Sequence, residues 1–270
     1  MTAYYNENDP YAAEWLRNLI AAKLIAPGIV DERSIVDVQP DDLKGYTQVH
    51  LFAGIGGWSY AARLAQWPDD KPLWTGSCPC QPFSAAGKQR GTADERHLWP
   101  EMHRLVAALQ PPVVVGEQVA SAAGLAWLDT VCTDLEGAGY ATGAADLCAA
   151  SVGAPHIRQR LWWVAHSLST GLEGHSGDGD NRNQPRWLHT VTPRPTTEDS
   201  NTGFWSNADH IPCRDGKTRP VEPFTFPLAH GIPNRVGRLR AYGNAIVPQV
   251  AAEILTALLE MEKESSCYSD

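Results

Sequence analysis

The chain has 270 residues, 43 % of them hydrophobic, and a net charge of −9. That is enough for one full core with a small second lobe, and too acidic for a surface that binds nucleic acid uniformly. No apolar run approaches the roughly 20 residues of a membrane span, and the polar start with Asn6, Glu7 and Asp9 before Pro10 is unlike a signal peptide, so a cytoplasmic protein is expected. The six cysteines (Cys78, Cys80, Cys132, Cys148, Cys213 and Cys267) lack paired zinc spacing, so reduced thiols and no metal site are expected. Charge is distributed unevenly. From His156 to Gln249 there are 11 Lys and Arg against 8 Asp and Glu, a net of +3, which leaves −12 for the remainder.

In chain order, the apolar positions Trp15, Leu16, Leu19, Ile20 and Leu24 predict an amphipathic helix from Tyr11 to Ile25, ended by Pro27-Gly28. Residues 29–45 are acidic and mixed, and are read as packing and connection. Val49 to Phe52 is a short buried strand that enters the turn Phe52-Ala53-Gly54-Ile55-Gly56-Gly57, and Trp58 to Ala65 follows as a helix. Strand, glycine turn and helix N-terminus together form a cradle for a nucleotide-like ligand.

Next comes Thr75-Gly76-Ser77-Cys78-Pro79-Cys80-Gln81-Pro82-Phe83-Ser84. Pro79 would hold Cys80 on a rigid base, which suits a nucleophile, while a small buried hydrophobe is the alternative for any intracellular Cys. Ser84, Lys88, Gln89 and Arg90 make the following loop polar and cationic, chemistry suited to a phosphate backbone. His97 to Leu109 is predicted helical, and Val113 to Val115 is a parallel-type strand that delivers Glu117 at its end. Leu125 to Gly137 is read as a helix, and Tyr140 to Leu147 and Leu161 to Ala165 as strands. Arg158 and Arg160 stand two apart, so on an extended segment they would share a face and grip one anion. Residues 166–234 turn irregular, with Arg182, Arg186, Arg194, Arg214, Lys217 and Arg219 interleaved with Trp187, Phe204 and Trp205. A turn at Gly243-Asn244 and a helix from Val250 to Met261 close the chain.

Phe52 to Gly57, Pro79-Cys80-Gln81, Glu117-Gln118-Val119, Pro155 to Arg160 and Gly243-Asn244-Ala245-Ile246-Val247-Pro248 resemble, in order, motifs of the DNA cytosine-5 methyltransferases. The resemblance implies an α/β fold with a Rossmann-like, mostly parallel methyltransferase sheet and a small irregular target-recognition insert. The implied division is an N-terminal helical extension over 1–48, a catalytic domain over 49–165, a target-recognition region over 166–234 and a returning segment over 235–270. It assigns Cys80 to attack on C6 of a flipped cytosine, Glu117 to the N3 edge, and Arg160 with Arg158 to the base carbonyl. Phe52, Ala53, Gly54, Ile55, Gly56, Gly57, Asn244 and Ala245 would hold S-adenosylmethionine. Gln81, Ser84, Lys88 and Arg90 would meet double-stranded DNA. A monomer in a bacterial or phage-infected cell, of the restriction-modification kind, is the implied setting.

The sequence departs from that pattern in several places. In the family two further strands follow the helix after the turn, each ending in an acid, one for the ribose and one for the adenine. Here only Gln66 to Trp74 separates that helix from the Cys80 loop, too short for two strands. The sheet is therefore expected to be shortened, lacking the second and third cofactor motifs. Asp69 and Asp70 are candidates for a shortened ribose contact, and Asp31 with Glu32 for an N-terminal replacement. His50, Gln118 and His156 stand where family members commonly carry other residues. The gap leaves methylenetetrahydrofolate open as an alternative donor, giving 5-hydroxymethylcytosine, and a catalytically silent DNA-binding derivative is a third reading.

Overall fold

The computed structural model describes residues 2–79, 98–154, 156–168, 209–212, 218–221 and 245–267. Among them a seven-stranded sheet runs β2-β1-β3-β4-β5-β7-β6. Its strands are β1 (Ala3–Asn6), β2 (Gly28–Asp31), β3 (Gln48–Leu51), β4 (Leu73–Gly76), β5 (Val113–Val119), β6 (Tyr140–Leu147) and β7 (Arg160–Ser167). All pairings from β2 across to β5 are parallel, and β7 alone runs against its two neighbours. A separate antiparallel pair, β8 (Asp209–Pro212) and β9 (Thr218–Val221), is the described part of the irregular region. No described helix is long and apolar enough to cross a membrane.

Alternation along the strands sorts the core into two faces. Val49, Leu51, Trp74 and Val114 point to one side, under α2 (Pro40–Leu43), α4 (Trp99–Leu109) and α5 (Ala122–Gly137). Leu73, Val113, Val115 and Trp162 point to the other, under α3 (Gly57–Leu64) and α6 (Pro248–Cys267). On that second face α1 (Pro10–Ala21) covers Ala3 and Tyr5 through Leu16, and Tyr5 meets α3 by a 2.9 Å hydrogen bond with Ser59.

The start of the chain differs from the helical extension expected over 1–48. It holds α1, but also β1 and β2, and both strands join the main sheet beside β3. The reason is local. Ala3-Tyr4-Tyr5 is β-prone, and Asp9 caps α1 by accepting from the N–H groups of Tyr11 (2.8 Å) and Ala12 (3.3 Å), with Pro10 opening the helix. The sheet is therefore not shortened on this side. The two strands that the resemblance places after the glycine-turn helix stand here before the turn, so their order in the chain is transposed. Asp69, one of the proposed replacements, instead pairs with Arg63 at 2.8 Å in the link after the C-terminal end of α3, away from the strand ends.

The transposition leaves a mark in the handedness of the connections. From β1 to β2 the chain steps one way along the sheet with α1 on the second face. From β2 to β3 and from β5 to β6 it steps the other way with α2 and α5 on the first face, which gives all three units the same hand. From β3 to β4 it steps that other way with α3 on the second face, so this crossover has the opposite hand. Parallel crossovers of one hand are nearly universal. α3 lies where a helix leading to β1 would lie.

Reconnection should then be tolerated. Gln48 N–H and Thr47 N–H both donate to the Thr2 carbonyl (2.9 and 3.1 Å), Leu73 N–H to the Thr47 carbonyl (3.2 Å), and the Gln48 amide to the Pro68 carbonyl (3.1 Å). All the cut points thus meet at one end of the sheet. A reordered chain that begins at Tyr46, carries residues 2–45 between Trp67 and Pro72 on short glycine links, and then continues to the end is expected to unfold in one cooperative transition. Its melting temperature should lie within a few degrees of the natural chain's. Thermal unfolding followed by circular dichroism checks this, and a non-cooperative melt would refute the transposition.

Candidate active site

Adjacent parallel strands whose following helices lie on opposite faces of the sheet open a crevice at their C-terminal ends. Here the crevice lies between β3, which ends in the glycine turn, and β4, which runs into Ser77-Cys78-Pro79. The turn is bent by left-handed residues, Phe52 at φ 52°, Gly54 at φ 54° and Gly56 at φ 86°. Gly56 caps α3 without a side-chain hydrogen bond, so the first N–H groups of that helix are left to an anion or a polar ligand. Ala53 is buried and Ile55 half-buried. Gly57 is held against the C-terminal segment, because a Cβ there would come within 2.8 Å of Ile246.

Beside the turn stands a residue that none of the sequence motifs contains. Glu7, just past the end of β1, accepts from Gly54 N–H at 2.7 Å and from Asp9 N–H at 2.9 Å. Ala53 N–H donates to the carbonyl of Asn6 at 2.9 Å. A carboxylate can accept about four hydrogen bonds, so Glu7 keeps capacity for a ligand. Asp31, at the end of β2, does not. It takes Tyr4 Oη at 2.5 Å, Arg33 Nη2 at 2.6 Å, and the Arg33 Nε and backbone N–H. Burial pushes its pKa up, but these Arg33 and Tyr4 contacts outweigh that and hold it below the ordinary value. Asp31 is thus an anchor of the strand end, and Glu32 is an exposed ion-pair partner of Arg17. The signal for Glu7 was a four-residue β-prone run followed by a capped, proline-led helix.

On the other side of the crevice β5 delivers Glu117, 11 % exposed at its side chain, whose Oε1 lies 2.7 Å from Arg160 Nε on β7. Burial raises the pKa of Glu117, opposed by the charges of Arg160 and Arg158 and by the Arg160 hydrogen bond. Gln118 points to the opposite face by alternation and is buried, so it does not hold Glu117 directly. Arg158 and Arg160 make different contacts. Arg158 has φ 36°, which breaks the extended run, and its Nη2 donates to the carbonyl of Ala245 at 2.5 Å. One arginine therefore meets the acid, and the other ties the closing segment to this edge. His50 is fully buried, stacks on Tyr5 and shares a 2.9 Å hydrogen bond with Thr75. Burial drives its pKa down to about 3, so it is a neutral core group below the turn. Cys78 is buried against Met102, and burial pushes its thiol well above the ordinary range. Cys80, Gln81, Ser84, Lys88, Arg90 and Asn244 lie outside the described residues.

The glycine turn, an acid paired with an arginine and the residues from β4 to Pro79 thus meet at one sheet edge. Residues 63–200 match the family profile described as C-5 cytosine-specific DNA methylase, about half of the chain. The chain belongs to that family. The match begins inside α3, downstream of the transposed strands. Among relatives of this chain, the Type II methyltransferase M.NgoFVII of Neisseria gonorrhoeae is 33 % identical over 126 residues, 43 % of this chain and 34 % of that protein. M.AplI of Arthrospira platensis, also a Type II methyltransferase, is 32 % identical over 96 residues, 35 % of this chain and 28 % of its own length. The matched stretch thus spans about a third of these relatives. Among solved structures, a DNMT2 mutant of Spodoptera frugiperda overlays with a TM-score of 0.39 at 14 % identity, covering 68 % of this chain and 54 % of that one.

The burial of Glu117 predicts a pH dependence of stability. A carboxyl whose pKa is raised on folding stabilises the native state most below its unfolded value, and that contribution is lost as pH rises through the native value. Glu117→Gln should flatten the fall in melting temperature between the ordinary carboxylate range and neutrality. For a domain of this size about 2–4 °C corresponds to 1 kcal/mol. Melting curves at a series of pH values, wild type against variant, give the comparison; identical slopes would show that Glu117 contributes nothing.

Proposed function

We propose that this protein methylates C5 of cytosine in double-stranded DNA, with S-adenosylmethionine as donor and Cys80 as the nucleophile. The observation that carries the reading is the Glu117–Arg160 pair at 2.7 Å on the strand next to the Cys80 loop, across the crevice from the glycine turn. Cytosine C5 is a poor nucleophile until a thiolate adds to C6. Cys80 forms that S–C6 bond while Glu117, steadied by Arg160, shares a proton with N3 and draws electrons into the ring. C5 would then take the methyl group as the donor's S–CH3 bond breaks to leave a neutral thioether, lose its proton to a base, and release Cys80 as the S–C6 bond breaks. Since a stacked base is unreachable, the cytosine is flipped out of the duplex.

The residues present fit the donor. When bound, S-adenosylmethionine supplies an electrophilic methyl group. The turn from Phe52 to Gly57 offers backbone N–H groups, Glu7 offers a carboxylate with spare acceptor capacity, and Arg158 steadies the segment that contains Ala245. The folate alternative was motivated by a missing adenosine side of the cleft, and β1 and β2 occupy that side. Residues 166–234 remain the proposed reader of DNA sequence, and a monomer is the proposed state.

Mass spectrometry of nucleosides from DNA of cells expressing the protein should reveal 5-methylcytosine, and 5-hydroxymethylcytosine in its place would restore the folate reading. Duplexes with 5-fluorocytosine at the target should be trapped covalently by wild type and Cys78→Ala, but not by Cys80→Ala; trapping by the last would overturn the nucleophile. Removing a charge-assisted hydrogen bond costs about 1.5–3 kcal/mol, or about one to two decades in affinity. Calorimetry should therefore find S-adenosylmethionine bound about 10- to 100-fold more weakly by Glu7→Gln, and unchanged affinity would remove Glu7 from the donor site.

A further inference from the structure

Trp58 is the second residue of α3, immediately after the glycine turn, and only 5 % exposed. Its indole Nε1 donates to Ser77 Oγ at 3.0 Å, and its ring meets Trp162 edge-on, with centroids 5.6 Å apart at 80°. Ser77 is the first residue after β4 and stands three before Cys80. Trp162 is the direct cross-strand partner of Glu117. One side chain thus touches the root of the Cys80 loop and the strand facing Glu117, and grows from the first turn of the donor helix. On the opposite face Cys78 anchors the same root through Met102.

We infer that Trp58 is a positioning residue that fixes the nucleophile relative to the donor turn through its hydrogen bond to Ser77. A buried, hydrogen-bonded indole between two elements permits little relative movement. It stands next to the chain segment that supplies each reacting group and acts through Ser77. A small displacement of a reacting atom can cost as much as two decades in rate, so a contact of this kind acts on the chemical step more than on binding.

The inference rests on the proposed cytosine chemistry, and the test separates the two. Covalent trapping of a 5-fluorocytosine duplex is followed in single turnover with saturating S-adenosylmethionine, beside donor affinity by calorimetry and thermal melting. Ser77→Ala and Trp58→Phe each remove the hydrogen bond and keep most of the packing. Both should slow trapping about 10- to 100-fold with donor affinity within about twofold of wild type, and the double variant should be no slower than the slower single one. Ser77→Thr, which keeps the hydroxyl, should recover most of the rate. Trapping by Ser77→Ala at the wild-type rate overturns the positioning role while leaving the proposed function intact. Rates that fall only in proportion to a lowered melting temperature, without rescue by Ser77→Thr, overturn it as well. No trapping by wild type defeats both readings.

Discussion

Each described piece of the site sits where a strand or helix meets one edge of a single sheet, and that edge depends on β1 lying hydrogen-bonded between β2 and β3. β3 is only four residues long, and without a neighbour on its outer side its polar backbone would open to water just where Phe52 and Gly54 adopt left-handed conformations. β1 supplies that neighbour, and its continuation at Glu7 accepts from the Gly54 N–H. The first residues of the chain therefore hold the shape of a turn almost fifty residues away.

This arrangement explains why a chain can change the order of its strands and keep its site. A parallel sheet fixes which strand ends lie side by side, and the connections run along the far end or over the faces. Moving a β-α-β unit from after α3 to before β3 changes only links at that far end, where Thr2, Thr47, Pro68 and Leu73 already adjoin one another. The local consequence is that α3 keeps its face while its exit reverses direction, giving one crossover of the opposite hand. Site geometry is conserved by strand position; chain order is a secondary variable.

Much of this was legible in the sequence because it is written in local patterns. The strand of Tyr140–Leu147 and the helices around Trp58, Leu105 and Leu255 follow from apolar periodicity, and Glu117 from the apolar run that ends in it. β1, β2 and β4 were not read, because each is four residues long, too short for a period to stand out, and none is followed by a glycine turn of the kind that marked β3. Spacing alone made Asp69 and Asp70 candidates for the donor, whereas Asp69 is matched to Arg63. Likewise, spacing put Arg158 and Arg160 on one face on the assumption of an extended backbone, which a φ of 36° at Arg158 breaks. Register across non-neighbouring strands, as between Trp162 and Glu117, is a tertiary fact that no single segment contains.

The two arginines then take unlike parts, and this bears on Glu117. A carboxylate buried without a partner would become neutral, while one locked into several strong ion pairs would stay charged at any ordinary pH. Glu117 lies between these limits, because burial raises its pKa and Arg160, with the more distant Arg158, lowers it. The contact of Arg160 is to Oε1, at 2.7 Å. Asp31 shows the opposite solution in the same fold, a fork with Arg33 and a short tyrosine contact that occupy both oxygens and keep the group charged. Two acids at strand ends of one sheet are thereby separated into an anchor and a group able to exchange a proton, by the number and geometry of the partners around each.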